Sequence, residues 1–540
     1  MREMKDSGVK WIGEIPEDWS VVRMKNCILI RNGGAWGEEK KNSDGDIICL
    51  RIADFDYSHL VIKDTTDLTI RNYDKKQIKK LRLIKGDILI EKSGGGDNTP
   101  VGRAVIFDKQ YEALFANFMD RLRVKECIIP RYFLYLLSTL YDNRYIVTYI
   151  KQTTGLQNLD LSSMLSKESV PLPEIKQQFC ITEYLDRKCS QIDSIIKRQE
   201  QIVEKLNIYK TALITEAVTR GLNPCKNTKK TNIGWISEIP SHWTEYRVAN
   251  LYDQTNESGE ESLPILTVSI NSGISDRELK DDEQERVFVR SEDRTKYKRV
   301  RPGDLVYNMM RAWQGAFGAA RVNGMVSPAY ITCRPKKNTQ IDSRYIEYLF
   351  RTPVAVEEMH RYSHGIADFR LRLYWPEFKN IRLCIPPIQE QTDIADYIDE
   401  KCLLIDKLIE KRECLIKKIE GYKKSLIYEC VTGKKEIPVY IKDAYDTGIK
   451  PKVLEQICDQ AKSCGVHKVI LFGSRARGNF HRDSDIDLAV SGGNIDLFRL
   501  AVEEETDTLL AYDVVNLDRT SNEELLDVIR KEGVIIYEEV

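Results

Sequence analysis

The chain has 540 residues, 42% apolar and 31% charged, with 82 Lys and Arg against 83 Asp and Glu, for a net charge of −1. This length has room for about three or four domains, and the composition is that of a globular rather than a disordered chain. Near-neutral charge excludes a nucleic-acid binder that works through bulk positive charge, so any such surface must be local.

Thirteen cysteines, scattered with no CxxC pair, argue against a disulfide framework or zinc ribbon and fit a reducing cytoplasm. No run of about 18 apolar residues is present, so no membrane-spanning helix is expected. The opening MREMKDSGVKW lacks the apolar stretch of a secretory signal.

In chain order, the first feature is WIGEIPEDW at residues 11–19, which returns as WISEIPSHW at 235–243. Trp11, Pro16 and Trp19 map onto Trp235, Pro240 and Trp243 at a constant spacing of 224. These large or rigid residues carry no base-reading chemistry and are expected to form a small structural plug. Short β-like runs with Gly-rich breaks follow each phrase, IKGDILIEKSGGGDNTPVGRAVIFD in the first half and VRPGDLVYNMMRAWQGAFGAARV in the second. Gly86–Asp87 and Gly303–Asp304 stand at equivalent turns. The pattern predicts a β-rich or α+β globule in each half.

A long helical pattern follows each globule, from Gln178 after VPLPEIKQ and from Gln391 after CIPPIQE; the prolines end the preceding strand just ahead of helix entry. Leu185, Ile192, Ile195, Ile202, Leu206, Tyr209 and Leu213 mark an apolar seam of coiled-coil type. Adding 213 to each number gives Ile398, Ile405, Leu408, Leu415, Ile419, Tyr422 and Leu426. A stripe of this kind must be covered, and the duplicate helix is the natural partner. Roughly 40 helical residues span about 60 Å, too long for one side of a small globule.

Two β-rich globules joined to paired helices suit a duplex with two separated half-sites. The repeated phrase, the PLPEIKQQ and PPIQEQ junctions, the two long helices, NMMRAWQGAFGAARVNGMVSPAY and GIADFRLRLYWPEFKNI together resemble the specificity subunit of type I restriction–modification systems over residues 1–432. The resemblance implies two target-recognition domains, each reading half of a bipartite double-stranded DNA site. It implies a helical spacer that docks two modification (methyltransferase) subunits, which bind S-adenosylmethionine, and restriction/motor subunits completing the complex. Residues 1–432 would then perform no chemistry. Candidate DNA contacts are Lys92, Ser93, Asn98 and Arg103 in the first globule. In the second they are Arg311, Trp313, Gln314, Arg370 and Arg372, since Arg can grip guanine and Gln adenine.

Beyond a Gly- and Lys-rich linker, the tail alternates helix and strand and contains FGSRARGNFHRDSDIDLAV. Gly473–Ser474 offers backbone N–H groups and a hydroxyl to a triphosphate. Asp485 and Asp487, two apart on a strand, face one side and could share divalent ions. Asp513 in YDVVNLD supplies a third carboxylate, with Asp518 the weaker candidate at the strand's end. Metals on the phosphates and a carboxylate beside the nucleophile suffice for nucleotidyl transfer.

This spacing resembles the minimal nucleotidyltransferases of the polymerase-β-like superfamily. The resemblance implies Asp485, Asp487 and Asp513 as catalytic and Mg2+-binding residues. Gly473, Ser474, Arg475 and Arg477 would lie at a nucleoside triphosphate, ATP being expected. A HEPN-type toxin or other acceptor protein would be the partner.

The expected fold class is α+β multidomain. Residues 1–175 and 223–387 are the globules; 176–222 and 388–432 are spacer helices pairing as an antiparallel coiled coil. Residues 433–450 are a linker, and 451–540 a small α/β nucleotidyltransferase domain. The leading function is DNA specificity with an accessory nucleotidyltransferase, in the cytoplasm and away from membranes. The alternatives are an adenylylating enzyme merely targeted by the N-terminal part, and a scaffold that reads no sequence.

Overall fold

The computed structural model describes residues 2–96, 98–153, 156–223, 227–270, 272–279, 296–365, 371–437, 447–477 and 479–539. The chain forms two compact units, one of Met1–Ile196 with Lys418–Val540, the other of Lys197–Lys417. No helix among the described residues is long and apolar enough to cross a membrane.

In the first unit a six-stranded sheet runs in the order Ile28–Gly33, Met119–Val124, Ile88–Glu91, Ala104–Ile106, Val61–Ile62 and Phe55–Asp56. Two three-stranded and two two-stranded sheets accompany it among the described residues of the globule. In the second unit a four-stranded sheet orders Tyr252–Thr255, Tyr330–Pro335, Leu305–Asn308 and Phe317–Ala319. The equivalent turns hold as expected, with Gly86 and Gly303 at φ 96° and 93°. The following carboxylates close them, Asp87 accepting from Ile84 N at 2.9 Å and Asp304 from Arg301 N at 2.9 Å.

The long helices are α1 (Ile175–Arg220) and α2 (Ile388–Val431). They pair antiparallel. In the second unit Gln199 meets Arg412 at 3.1 Å and Lys210 meets Asp406 at 2.7 Å; in the first, Asp193 meets Lys423 at 2.7 Å and Tyr184 lies beside Lys435. The buried line differs in part from the expected seam. It takes Leu185, Cys189, Ile192, Ile196, Gln199, Val203, Leu206, Lys210, Leu213 and Ala217, in alternating steps of four and three. The same offset of 213 yields Ile398, Cys402, Ile405, Ile409, Arg412, Ile416, Ile419, Lys423, Leu426 and Cys430, again all buried or half-buried. Ile195, Tyr209, Leu408, Leu415 and Tyr422 are exposed instead. The reason is physical: a helix pair fills its interface every three or four residues, and several places go to Cys, Gln, Arg and Lys, which an apolar pattern passes over.

The same offset relates the contacts of globule to helix. Tyr132 donates its hydroxyl to Val431 O (3.1 Å) and Tyr345 to Val218 O (2.9 Å). Arg131 pairs with Asp186 (2.9 Å), and Arg344 with Asp399 (3.0 Å). The buried Gln178 amide accepts from Ile129 N and donates to Cys127 O and Pro173 O; Gln391 does the same with Asp342 N, Gln340 O and Pro386 O.

The repeated phrase is core, as expected. Trp11, Ile12, Ile15 and Trp19 pack with Leu426, Ile427, Cys430 and Val431 at the end of α2. Ile236, Ile239 and Trp243 pack with Ala217 and Val218 at the end of α1.

The last domain has α3 (Pro451–Ser463), β1 (Lys468–Phe472), β2 (Ile486–Ser491), α4 (Ile495–Glu505), β3 (Tyr512–Asn516), α5 (Glu523–Glu532) and β4 (Val534–Glu538), in the predicted order. The sheet order is β3-β2-β1-β4, with β2 and β3 parallel and the other pairs antiparallel. Of the expected linker, residues 438–446 lie outside the described residues.

Gln391→Leu removes three bonds from a buried site and leaves Asp342 N, Gln340 O and Pro386 O without a partner. An expected loss on the order of 3 kcal/mol would appear as a lower urea midpoint for the full chain.

Candidate functional site

Strand register assembles the acidic site of the last domain. Phe472 at the end of β1 lies opposite Asp487 on β2, and Asp487 lies opposite Asp513 on β3. Neighbouring strands are about 4.8 Å apart, so the two carboxylates share one sheet end. Asp485 lies two residues before Asp487, at the end of the loop that leads into β2.

Gly473 has φ 73°, and a Cβ there would collide with the Asp487 carboxylate. Only glycine lets the chain turn so close to that acid. Burial raises the Asp487 pKa, and the charges of Asp513 and Asp485 push it further up. Asp487 therefore senses both of the other acids. Hard oxygen donors of this kind suit Mg2+, although among the described residues no three His, Cys, Asp or Glu side chains stand close enough to grip an ion as they are. Asp518 sits elsewhere, accepting from Gly492 N at 2.8 Å beyond the other end of β2.

The arginines behave differently from the expectation. Arg475 is 1% exposed. Its guanidinium donates to Ser484 O (2.6 Å), Asp485 O (3.1 Å) and Thr447 O (2.9 Å), and stacks on Phe480. Its donors are used on backbone carbonyls, which holds the loop that carries Asp485, while its charge still acts on Asp487 and Asp485. Sequence reasoning missed this because a buried and an exposed arginine look alike in a motif. Arg477 is exposed and paired with Glu532 at 2.6 Å. Ser474 is half-buried beside Gly473.

The DNA candidates divide similarly. In the first globule Arg103 is held by Glu91 at 2.9 Å and lies over the Tyr57 ring at 3.7 Å. Lys92 pairs with the buried Asp120 at 3.2 Å, and the Ser93 hydroxyl donates to Asn158. Asn98 is exposed. Arg103 and Lys92 are thus engaged internally, contrary to the expectation of free base readers.

In the second globule Arg311 is half-buried and Gln314 is exposed. Trp313 donates to Met310 O at 3.0 Å and meets His360 edge-on. His364 and Arg372 exchange two backbone bonds, and Leu373 N donates to Met309 O. The two segments chosen from the sequence therefore adjoin. Gln314 and Arg372 share the locality with exposed Met310 and Tyr374, which sequence reasoning missed. Arg370 lies outside the described residues.

With this geometry in place, comparison with known proteins is direct. Residues 16–205 match the type I restriction modification DNA specificity domain, and residues 453–540 match the polymerase beta nucleotidyltransferase domain. Over 78% of its length the chain is similar to type I specificity subunits, and a polymerase beta nucleotidyltransferase match lies at its C-terminal end.

Among specificity subunits, the type I restriction enzyme MjaX subunit of Methanocaldococcus jannaschii is 26% identical over 446 residues, covering 78% of this chain and 95% of the relative. The EcoKI specificity subunit of Escherichia coli is 23% identical over 445 residues, covering 78% and 90%. A solved chain from a study of type I R-M complex assembly shares the fold, with TM-score 0.56 and 13% identity over 78% of this chain and 99% of that one.

The raised Asp487 pKa fixes the sign of a pH effect. A carboxyl raised on folding stabilises the fold below its unfolded pKa and loses that contribution as pH rises through the folded value. Without divalent metal, Asp487→Asn should therefore melt higher than the parent at pH 8, and the difference should vanish near pH 3, as followed by calorimetry.

Proposed function

We propose that the chain is the DNA-specificity subunit of a type I restriction–modification complex, with a C-terminal Mg2+-dependent nucleotidyltransferase. The observation that carries the first part is the duplicated bond set: one globule–helix unit occurs twice with the same tyrosine, glutamine and ion-pair contacts at an offset of 213. One reader built twice suits a bipartite duplex. The second globule would read its half through Gln314 and Arg372, with Met310 and Tyr374 offering apolar contact. The paired helices would set the gap between half-sites. Their exposed Ile208, Tyr209, Leu403, Leu404 and Leu408 would help dock the modification subunits, with restriction/motor subunits completing the assembly.

Methylome sequencing of cells expressing the chain with its modification subunits should reveal one gapped, asymmetric motif that depends on this gene. Deleting one matched heptad from each helix should shorten the gap and leave both half-sites unchanged. No gene-dependent gapped motif would sink the proposal.

The support for the second part is Asp487 set against Gly473, with Asp513 opposite it on the next strand and Asp485 two residues before it. These carboxylates would hold Mg2+, which when bound supplies positive charge to a triphosphate. Gly473 and Ser474 would face the nucleotide, with ATP the expected one, and Arg475 would keep the Asp485 loop in place. An acceptor hydroxyl oxygen would form a bond to the α-phosphorus as the bond to pyrophosphate breaks, its proton passing to Asp513. The acceptor would be a protein side chain, on a HEPN-type toxin or another partner. Incubation with α-labelled ATP, Mg2+ and candidate acceptors should label one of them, and Asp485→Ala with Asp487→Ala should abolish it. Labelling that survives the double variant rules out this site.

A further inference from the structure

We propose that the helix Lys75–Leu81 grips the sugar–phosphate backbone of duplex DNA and forms the phosphate-contacting element of the first globule; this rests on the DNA-specificity reading. Between Asp74 and Asp87 stand Lys75, Lys76, Lys79, Lys80, Arg82 and Lys85, with no carboxylate among them, and of these Arg82 pairs with Glu112 at 3.1 Å. In a chain of net charge −1, this is the local basic surface that the composition demands of a DNA reader.

Lys75, Lys76, Lys79 and Lys80 are exposed. Among the described residues none of the four side chains appears in an ion pair, whereas Arg31 and Lys92 engage Asp120, Arg103 engages Glu91, Lys109 engages Asp64 and Arg123 engages Asp87. The sequence-chosen loop has spent its cations on the fold. The helix keeps its own.

The arrangement is costly to the helix alone. Lys75 and Lys79, and Lys76 and Lys80, are like charges at i and i+4, which repel across a turn. Lys75 and Lys76 also sit in the first turn, where the helix dipole already concentrates positive charge. The fold nevertheless holds this helix firmly. Asp74 accepts from Gln77 N at 2.8 Å, and Gln77 returns a side-chain acceptor to Asp74 N at 3.1 Å. At the other end Arg121, 3% exposed, donates to Lys80 O (3.0 Å) and Arg82 O (2.8 Å). Leu81 is buried in the core beneath.

Rigid placement without neutralisation is what a polyanion would complete. Lysines are compact, strongly hydrated charges suited to phosphate contact rather than base discrimination. The helix therefore supplies sequence-independent grip, and base reading in this globule falls to other residues.

The test uses the full chain and the variant Lys75→Gln, Lys76→Gln, Lys79→Gln, Lys80→Gln, with Lys79→Gln, Lys80→Gln as an intermediate. Binding is titrated against salt on a duplex with the methylome-defined site and on a scrambled duplex. The slope of log K on log salt should fall by about three to four for the quadruple variant and about half that for the double, at about 0.9 per phosphate contact. Affinity for both duplexes should fall by the same factor, and the methylated motif should keep its bases. An unchanged slope, with wild-type binding still sequence-selective, overturns the helix assignment and leaves the specificity reading standing. An unchanged slope with weakened association of the modification subunits assigns the lysines to an acidic protein surface and also overturns it. Wild-type protein that prefers no duplex sequence removes both readings.

Discussion

Each globule depends on a small set of buried polar bonds that tie it to the long helices. The Gln178 amide and its counterpart Gln391 satisfy backbone groups where strand gives way to helix. Tyr132 and Tyr345 reach the last carbonyls of α2 and α1. A helix end leaves its final carbonyls without partners, so these hydroxyls satisfy the helix while orienting the globule. Because the opening phrase packs on the same helix end, each globule inherits its orientation on its helix from that joint.

The C-terminal domain rests on the opposite kind of interaction. Asp487 and Asp513 lie where β1 ends and β2 and β3 begin, with Asp485 just before β2, and burial together with the charges of Asp513 and Asp485 raises the proton affinity of Asp487. Gly473 clears the space and Arg475 fixes the loop through backbone carbonyls, so neutral or buried parts of the fold hold an electrostatically unfavourable cluster. Functional sites commonly keep perturbed acids of this sort. The basic helix of the first globule follows the same logic with the sign reversed: a capped, anchored element carries cations that the protein leaves unpaired.

Much was legible because repetition is read directly from letters. WIGEIPEDW and WISEIPSHW announced two copies, their tryptophans belonged to the core, and seven elements of the tail fell in the predicted order. The seam was legible only in part. Its period and offset were right, but Cys189, Gln199 and Lys210 occupy the interface while Ile195 and Tyr209 face outward, because spacing rather than polarity decides which side of a helix is covered. Arg475 and Arg103 failed as ligand candidates for a related reason: a guanidinium in a motif does not reveal whether its donors are already used.

By itself, the sequence determined the duplication, the helix lengths, the succession of elements in the tail and three candidate acids, since these follow from local spacing and periodicity. Tertiary structure supplied the reason why Asp513, the stronger candidate in the sequence, joins Asp487 while Asp518 does not: strand register places Asp513 opposite Asp487. It also decided which cations are engaged: among the described residues Lys75, Lys76, Lys79 and Lys80 appear in no ion pair, whereas Arg103 pairs with Glu91 and Arg475 bonds to backbone carbonyls. Pairing of charges is a property of distance in the fold, and distance between residues far apart in the chain is not written in either one of them.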